Sequence, residues 1–364
     1  VTSHLRLGMY NLTLTGGPNT STILQSTISG AGNLTVNTDS SSTVTFYRDT
    51  NTYTGTTFVN NGTLILDTFT ESVGTLPGQG NLAISGPLVI GDGVGAAGSA
   101  VVQLAATDGS DEARNIIAEN SNVTINSDGY FHVNGEDQII NNLTMNAGLI
   151  DTTNYIASSL GTLTIAGNAT IQANPTTAVI NGNFEMANSV GNATTVFTVN
   201  SGGNATSDFT INALLSGGSM VKSGAGTMTL TNNANSYTGT TEVQSGTLNI
   251  QAGGALGATG VNSVGEGTTV DAGAQLQMQG NIAVGNEYLN LNGNGTGGSD
   301  GALRNVAGNN SWAGTVNVAS NSTVDTAANS LLFSGSIGSN ATAATLTFNG
   351  NGNTTISGTI SGPV

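Results

Sequence analysis

The feature that most constrains this chain is a short apolar, polar, apolar triplet that recurs along its whole length. Each copy is introduced by Gly or Asn and followed by a turn. Leu34-Thr35-Val36, Val123-Thr124-Ile125, Leu143-Thr144-Met145, Leu163-Thr164-Ile165, Met228-Thr229-Leu230, Leu248-Asn249-Ile250, Leu276-Gln277-Met278, Leu289-Asn290-Leu291 and Leu346-Thr347-Phe348 are examples. A period of two places two side chains inward and one outward, the pattern of a half-buried strand. Strands this short, set apart by turn residues every ~8 to 15 positions, suit a sandwich, a barrel or a β-helix equally. Persistence separates the three. The texture runs from Asn11 to Ile360 with neither an amphipathic helix nor a Pro-rich linker, whereas a sandwich or barrel closes after ~100 to 250 residues. A solenoid can continue, and at ~20 to 28 residues per turn this chain would make ~13 to 18 turns and a rod of ~60 to 90 Å.

The expectation is therefore an all-β chain forming one continuous β-solenoid over residues 1–364. The one irregular stretch, around 91–138, holds Gly93-Val94-Gly95-Ala96-Ala97-Gly98 and the acidic Asp108-Gly109-Ser110-Asp111-Glu112. It reads as decorated or looped turns rather than a domain boundary.

Composition narrows the function. Only 7% of the 364 residues are charged, against 37% hydrophobic, and the formal net charge is -16. The apolar fraction is enough for a core, so the chain is not a disordered acidic segment. A negative chain whose only lysine is Lys222 cannot make a basic footprint, which excludes nucleic acid as a partner. No window approaches the ~18 consecutive apolar residues of a membrane helix, and no direct insertion into a bilayer is expected. The absence of Cys removes disulfide frameworks, thiolate zinc sites and Cys nucleophiles together. Asn (46), Thr (54) and Ser (34) take the place of charge. These side chains hydrate without repelling one another and suit stacked turns, where like residues align and Asn amides form ladders.

A direct internal repeat supports the solenoid. Tyr53-Thr54-Gly55-Thr56-Thr57-Phe58-Val59-Asn60-Asn61-Gly62-Thr63-Leu64 returns as Tyr237-Thr238-Gly239-Thr240-Thr241-Glu242-Val243-Gln244-Ser245-Gly246-Thr247-Leu248. Upstream, Ser29-Gly30-Ala31-Gly32 matches Ser223-Gly224-Ala225-Gly226, with a longer gap to the Tyr element in the first copy. Insertions between matching strands belong on the loops of a repeat array. The repeat copies span 28–66 and 221–250.

These segments resemble the autotransporter-associated β-strand repeat, best at Lys222-Ser223-Gly224-Ala225-Gly226-Thr227-Met228-Thr229-Leu230, Asn235-Ser236-Tyr237-Thr238-Gly239 and Gly246-Thr247-Leu248. The first copy departs by lacking the Lys and by carrying Asn33-Leu34 where Thr-Leu is usual. Asn310-Ser311-Trp312-Ala313-Gly314 is similar to segments of such proteins. The resemblance implies a single right-handed parallel β-helix, bacterial origin, and an extracellular or cell-surface location. It implies no single activity.

Glycoside hydrolysis needs two carboxylates held at a defined separation, and lyase chemistry needs a cation for the developing carbanion. The four Arg (Arg6, Arg48, Arg114, Arg304) are scattered. The densest acidic stretch, Asp108, Asp111, Glu112, Glu119, Asp128, Glu136 and Asp137 with Arg114 and His132 inside it, is where an active or Ca²⁺ site would lie. It reads first as a solvated loop face. Gly91-Asp92-Gly93 is a turn signal, and neither an EF-hand nor a Gly-Gly-x-Gly-x-Asp pattern occurs. His4 and His132 read as surface or loop histidines, and no Gly-x-Ser-x-Gly is present. Tyr53, Tyr237 and Trp312 read as corner or core residues ahead of sugar-stacking ones. Fourteen Asn-x-Ser/Thr sequons, among them Asn11, Asn33, Asn122, Asn168 and Asn321, are close to chance for so much Asn, Ser and Thr.

No catalytic, cofactor-binding or metal residue is assigned, and no cofactor is expected. The expected function is a non-enzymatic extracellular structural protein, a surface-displayed or fibre-forming β-solenoid. It would act in adhesion, matrix or filament assembly by end-to-end self-association, or continue into a larger parent chain. Gly16-Gly17-Pro18 and Gly362-Pro363-Val364 are the only cap-like segments, so the terminal strands read as open. The alternative is a carbohydrate-binding or polysaccharide-degrading β-helix centred on 108–137, with surface glycans as partners. A scarcity of ion pairs predicts weak dependence of stability on salt and pH.

Overall fold

A computed structural model describes residues 4–47, 50–68, 82–105, 115–153, 161–186, 194–203, 206–258, 267–341 and 343–362. Every regular element among them is a strand, and no helix is long and apolar enough to cross a membrane. The chain divides into two compact units, Val1–Gln172 with Thr176–Glu185, and Ala173–Pro175 with Met186–Val364. Both are parallel β-solenoids, as the triplets require, and the turns number about 13 in all. All nine triplets quoted above lie in strands.

In the first unit each turn lays its strands in parallel on those of the turn before. Leu34–Thr38 pairs with Leu12–Gly16, and Thr43–Tyr47 with Ser21–Leu24. Because the pairing is in register, inward residues stack on inward residues. One column runs Leu14, Val36, Val59, Ile90, Ile125, Met145, Ile171 over seven turns, and from Val36 onward its members are at most 1% exposed. The alternate outward column is Thr13, Thr35, Phe58, Val89, Thr124, Thr144, Thr170. β-branched side chains on a pleated face pack against their copies above and below, which explains the abundance of outward Thr. Within 91–138 the strands Ala100–Leu104, Val123–Ile125 and Gly129–His132 continue this stacking.

The second unit repeats the logic. Phe209, Met228, Leu248, Leu276, Leu303, Val324 and Phe348 form one inward column. Phe197, Lys222, Val243, Val270, Leu291 and Val318 form another. A lysine therefore occupies an apolar position of the core.

Asparagine ladders tie the turns at their corners, as the composition suggested. The Asn11 side-chain oxygen accepts the Asn33 backbone N–H (3.0 Å), and Asn33 in turn accepts that of Thr56 (2.9 Å). Asn122, Asn142 and Asn168 form an equivalent series. Each such bond satisfies a donor at a corner, where the strand ladder cannot reach it.

Candidate functional site

The most specific side-chain arrangement is a corner built from Asn, an aromatic residue and Gly, and it occurs three times among the described residues. Asn51, Asn235 and Asn310 are buried, at 3%, 6% and 2% exposure. Asn51 accepts the Ile28 N–H (2.8 Å) with its side-chain oxygen and donates its amide to the Ala83 carbonyl (3.0 Å). Asn235 does the same between the Leu215 N–H (2.9 Å) and the Ala255 carbonyl (2.8 Å). One side chain thereby clamps the turn before it and the turn after it. Asn310 accepts the Ile282 N–H (2.7 Å) and donates to the Ala307 carbonyl (3.0 Å).

Two residues on from each Asn, an aromatic side chain fills the core. Tyr53 and Tyr237 are 0% and 1% exposed, and their hydroxyls bond Thr57 Oγ1 (2.5 Å) and Thr241 Oγ1 (2.7 Å). Burial lifts both phenols well above the ordinary tyrosine range. Trp312 is 0% exposed and donates its indole N–H to the Glu287 carbonyl (3.0 Å). These rings are core residues and are closed to sugars. Two residues further come Gly55, Gly239 and Gly314. A Cβ on Gly55 would strike the Gly32 carbonyl, one on Gly86 the Gly55 carbonyl, and one on Gly314 the Glu287 carbonyl. Only glycine permits backbones to approach this closely at a stacked corner.

Two ionisable groups lie in the core of the second unit. Lys222 is 0% exposed and donates from Nζ to the carbonyls of Gly224 and Ser245, both at 2.8 Å. Burial pulls its amine down to about 7, against an opposing pull from the Asp208 carboxylate. Asp208 is itself held by the backbone N–H groups of Gly202 (2.8 Å) and Thr227 (2.7 Å). Glu287 is 5% exposed. Burial pushes its carboxyl up to about 7 although Thr268 donates a hydroxyl to it at 2.9 Å. These two groups predict a pH dependence that the expectation of weak variation with salt and pH does not include. A charge with almost no solvent contact pays a desolvation cost that depends on protonation.

Among the described residues, the acids of the 108–137 stretch act at separate turns. Asp108, Asp111, Glu112 and Arg114 lie outside the described residues. Asp128, 1% exposed, accepts the Gly93 N–H (2.7 Å) and the Asp92 N–H (3.3 Å), and so shapes the Gly91-Asp92-Gly93 turn. Asp92 accepts the Val94 N–H (2.9 Å). Asp137 accepts the Thr162 N–H (2.8 Å), and Glu119 accepts the Asn115 amide (2.6 Å). Among the described residues no group of three or more His, Asp and Glu could hold a metal ion. His4 is exposed and bonds Ser29 Oγ (2.8 Å). His132 is not a surface histidine: it ends the strand Gly129–His132 at 9% exposure, stacks on Tyr130 with ring centroids 5.4 Å apart, and meets the Thr153 carbonyl (3.0 Å).

Sequence reasoning missed the Asn clamp, although the shared Asn-x-aromatic-x-Gly spacing at 51–55, 235–239 and 310–314 could have shown it. It also missed Glu287. Lys222 was readable in principle, since it stands on an inward parity of Met220-Val221-Lys222.

No curated protein and no solved structure matches the chain. A family model, the passenger-associated-transport-repeat, matches residues 27–66 and 220–250. Those are the two segments that hold the Asn51 and Asn235 corners; the Asn310 corner lies beyond the matched residues. The repeat implies a secreted or surface-exposed passenger. Two segments of the chain thus match the passenger-associated-transport-repeat, within a β-solenoid that fits an autotransporter passenger-like domain.

Proposed function

We propose that this protein is a non-enzymatic structural β-solenoid of the bacterial surface or extracellular space, acting in adhesion, matrix or filament assembly through end-to-end contact with a second copy. The observation that supports this reading is the state of the outermost described turns. Phe348 and Ile360 are core-facing by register, opposite Val324 and Ile337, yet they are 38% and 60% exposed. In the first unit Leu14 faces inward opposite Val36 but is half-buried, and Met9, Tyr10 and Ile23 nearby are exposed. A parallel strand edge with its core column open accepts another strand of the same pattern, whether a further turn of the same chain or a second copy.

The test is sedimentation velocity over a concentration series on the chain and on Ile360→Lys. Mass action should shift the wild type to larger species while the charged variant stays at one sedimentation coefficient. Equal, concentration-independent behaviour of both would refute self-association.

A further inference from the structure

The second unit carries a polar cavity that none of the structural roles above uses. It has a volume of about 260 Å³, and Tyr288, Asn317, Gly338, Ser339, Asn340 and Ser361 are among the residues that line it. Strand register explains why it is there. Asn317 stands opposite Gly338, which stands opposite Ser361, on the outward face of successive turns. Gly338 leaves a gap in a column that side chains otherwise fill, and Tyr288 closes the gap from the turn before Asn317.

Half of the lining is fixed in advance. Asn317 donates its amide to Asn290 (2.6 Å) and accepts the Asn340 backbone N–H (3.0 Å). Ser339 Oγ donates to the Val318 carbonyl (2.8 Å) and accepts the Ala341 N–H (3.1 Å). The other half is unused. The Tyr288 hydroxyl, the Asn340 amide and the Ser361 hydroxyl have no hydrogen-bond partner among the described residues. Tyr288 is 8% exposed as a residue, its hydroxyl retains solvent contact, and Asn340 and Ser361 are exposed, so all three are free to bond a ligand in place of water.

The chemistry of the lining selects the ligand. No Asp, Glu, Lys or Arg contributes to the wall, so nothing there neutralises a charged ligand. Amides and hydroxyls dominate, which disfavours a purely apolar one. A ring with an apolar face and a hydroxylated rim would rest against Tyr288 and bond Asn340 and Ser361. We infer that this cavity is a binding site for a neutral saccharide of one or two pyranose rings, with Tyr288 as the platform and Asn340 and Ser361 as the hydroxyl-reading groups. The volume sits just below the usual range for small-ligand pockets, in keeping with so small an occupant.

The experiment is saturation-transfer NMR on the full chain with the methyl glycosides of glucose, galactose and N-acetylglucosamine, with cellobiose, and with galacturonate as the charged counterpart. At least one neutral probe should bind saturably, and galacturonate at least about tenfold more weakly, a factor that corresponds to the loss of roughly one good hydrogen bond or one desolvated charge. Tyr288→Ala should weaken binding by at least about tenfold, the same measure applied to the platform. Gly338→Val tests the cavity. A Cβ there meets Ser361 O at 3.2 Å and Ser361 Oγ at 3.3 Å, so Ser361 must shift by a few tenths of an ångström; with a circular dichroism spectrum and urea midpoint like those of the wild type, the cavity is filled and binding disappears. The proposal is overturned if no neutral probe saturates, if galacturonate binds equally well, or if Gly338→Val binds like the wild type.

Discussion

The two buried ionisable groups make the second unit least stable near neutral pH, and one native probe can follow it. Glu287 holds its proton more tightly folded than unfolded, with its carboxyl raised from 4.5 to about 7. Its contribution is therefore intact below pH 4.5 and is lost as pH rises through about 7. Lys222 behaves oppositely, because its amine is lowered from 10.5 to about 7. Its contribution is intact above pH 10.5 and is lost as pH falls toward about 7. At ~1.4 kcal/mol per pKa unit the Glu287 limb is worth at most ~3.5 kcal/mol and the Lys222 limb at most ~5 kcal/mol. Trp312 is the only tryptophan, is fully buried, and bonds the Glu287 backbone, so its fluorescence reports unfolding of this unit. Urea midpoints followed at pH 5, 7 and 9 should be lowest at pH 7. Glu287→Gln should remove the fall between pH 5 and 7, and Lys222→Met the rise between 7 and 9. A midpoint that is flat or maximal at pH 7, or an acid limb that survives in Glu287→Gln, would refute the reasoning.

Three further outcomes are expected. Gly55→Ala drives a methyl group into the Gly32 carbonyl and should cost more than ~2 kcal/mol, whereas Gly8→Ala, with φ +62 and nothing within 4 Å, should cost only the ~1 kcal/mol of a left-handed residue; urea denaturation of the two variants followed by circular dichroism separates them. Asn235→Ala strands the buried Leu215 N–H and Ala255 carbonyl and should cost ~2 to 4 kcal/mol by the Trp312 fluorescence assay. Sodium chloride up to about 0.5 M should barely move the thermal midpoint, because the ion pairs Arg304 makes with Asp300 (3.5 Å) and Asp325 (3.1 Å) involve a guanidinium that remains about a third exposed.

The solenoid was legible because its determinant is local. A triplet such as Leu248-Asn249-Ile250 states which side chains face inward, and its repetition states that turns stack. The repeat corners were legible as a motif, but their mechanism was not. Asn51 acts on Ile28 and Ala83, 23 and 32 residues away, and such partners become visible only once the register of neighbouring turns is known. Lys222 and Glu287 escaped for another reason. Charged residues in short strands normally face water, so a lysine stacked between Phe197 and Val243 contradicts the rule that makes the rest of the pattern readable. The cavity at Gly338 was hidden for the same reason as the clamps, since it is a gap in a column and not a feature of any one strand. His132 read as a loop residue because nothing nearby in the sequence announces that Thr153 and Tyr130 enclose it.

Electron microscopy of the purified chain across a concentration series tests the central claim most directly. The account predicts filaments that lengthen with concentration and keep one axial repeat, with Phe348 and Ile360 buried at each junction. Separate particles of one length at every concentration would contradict it.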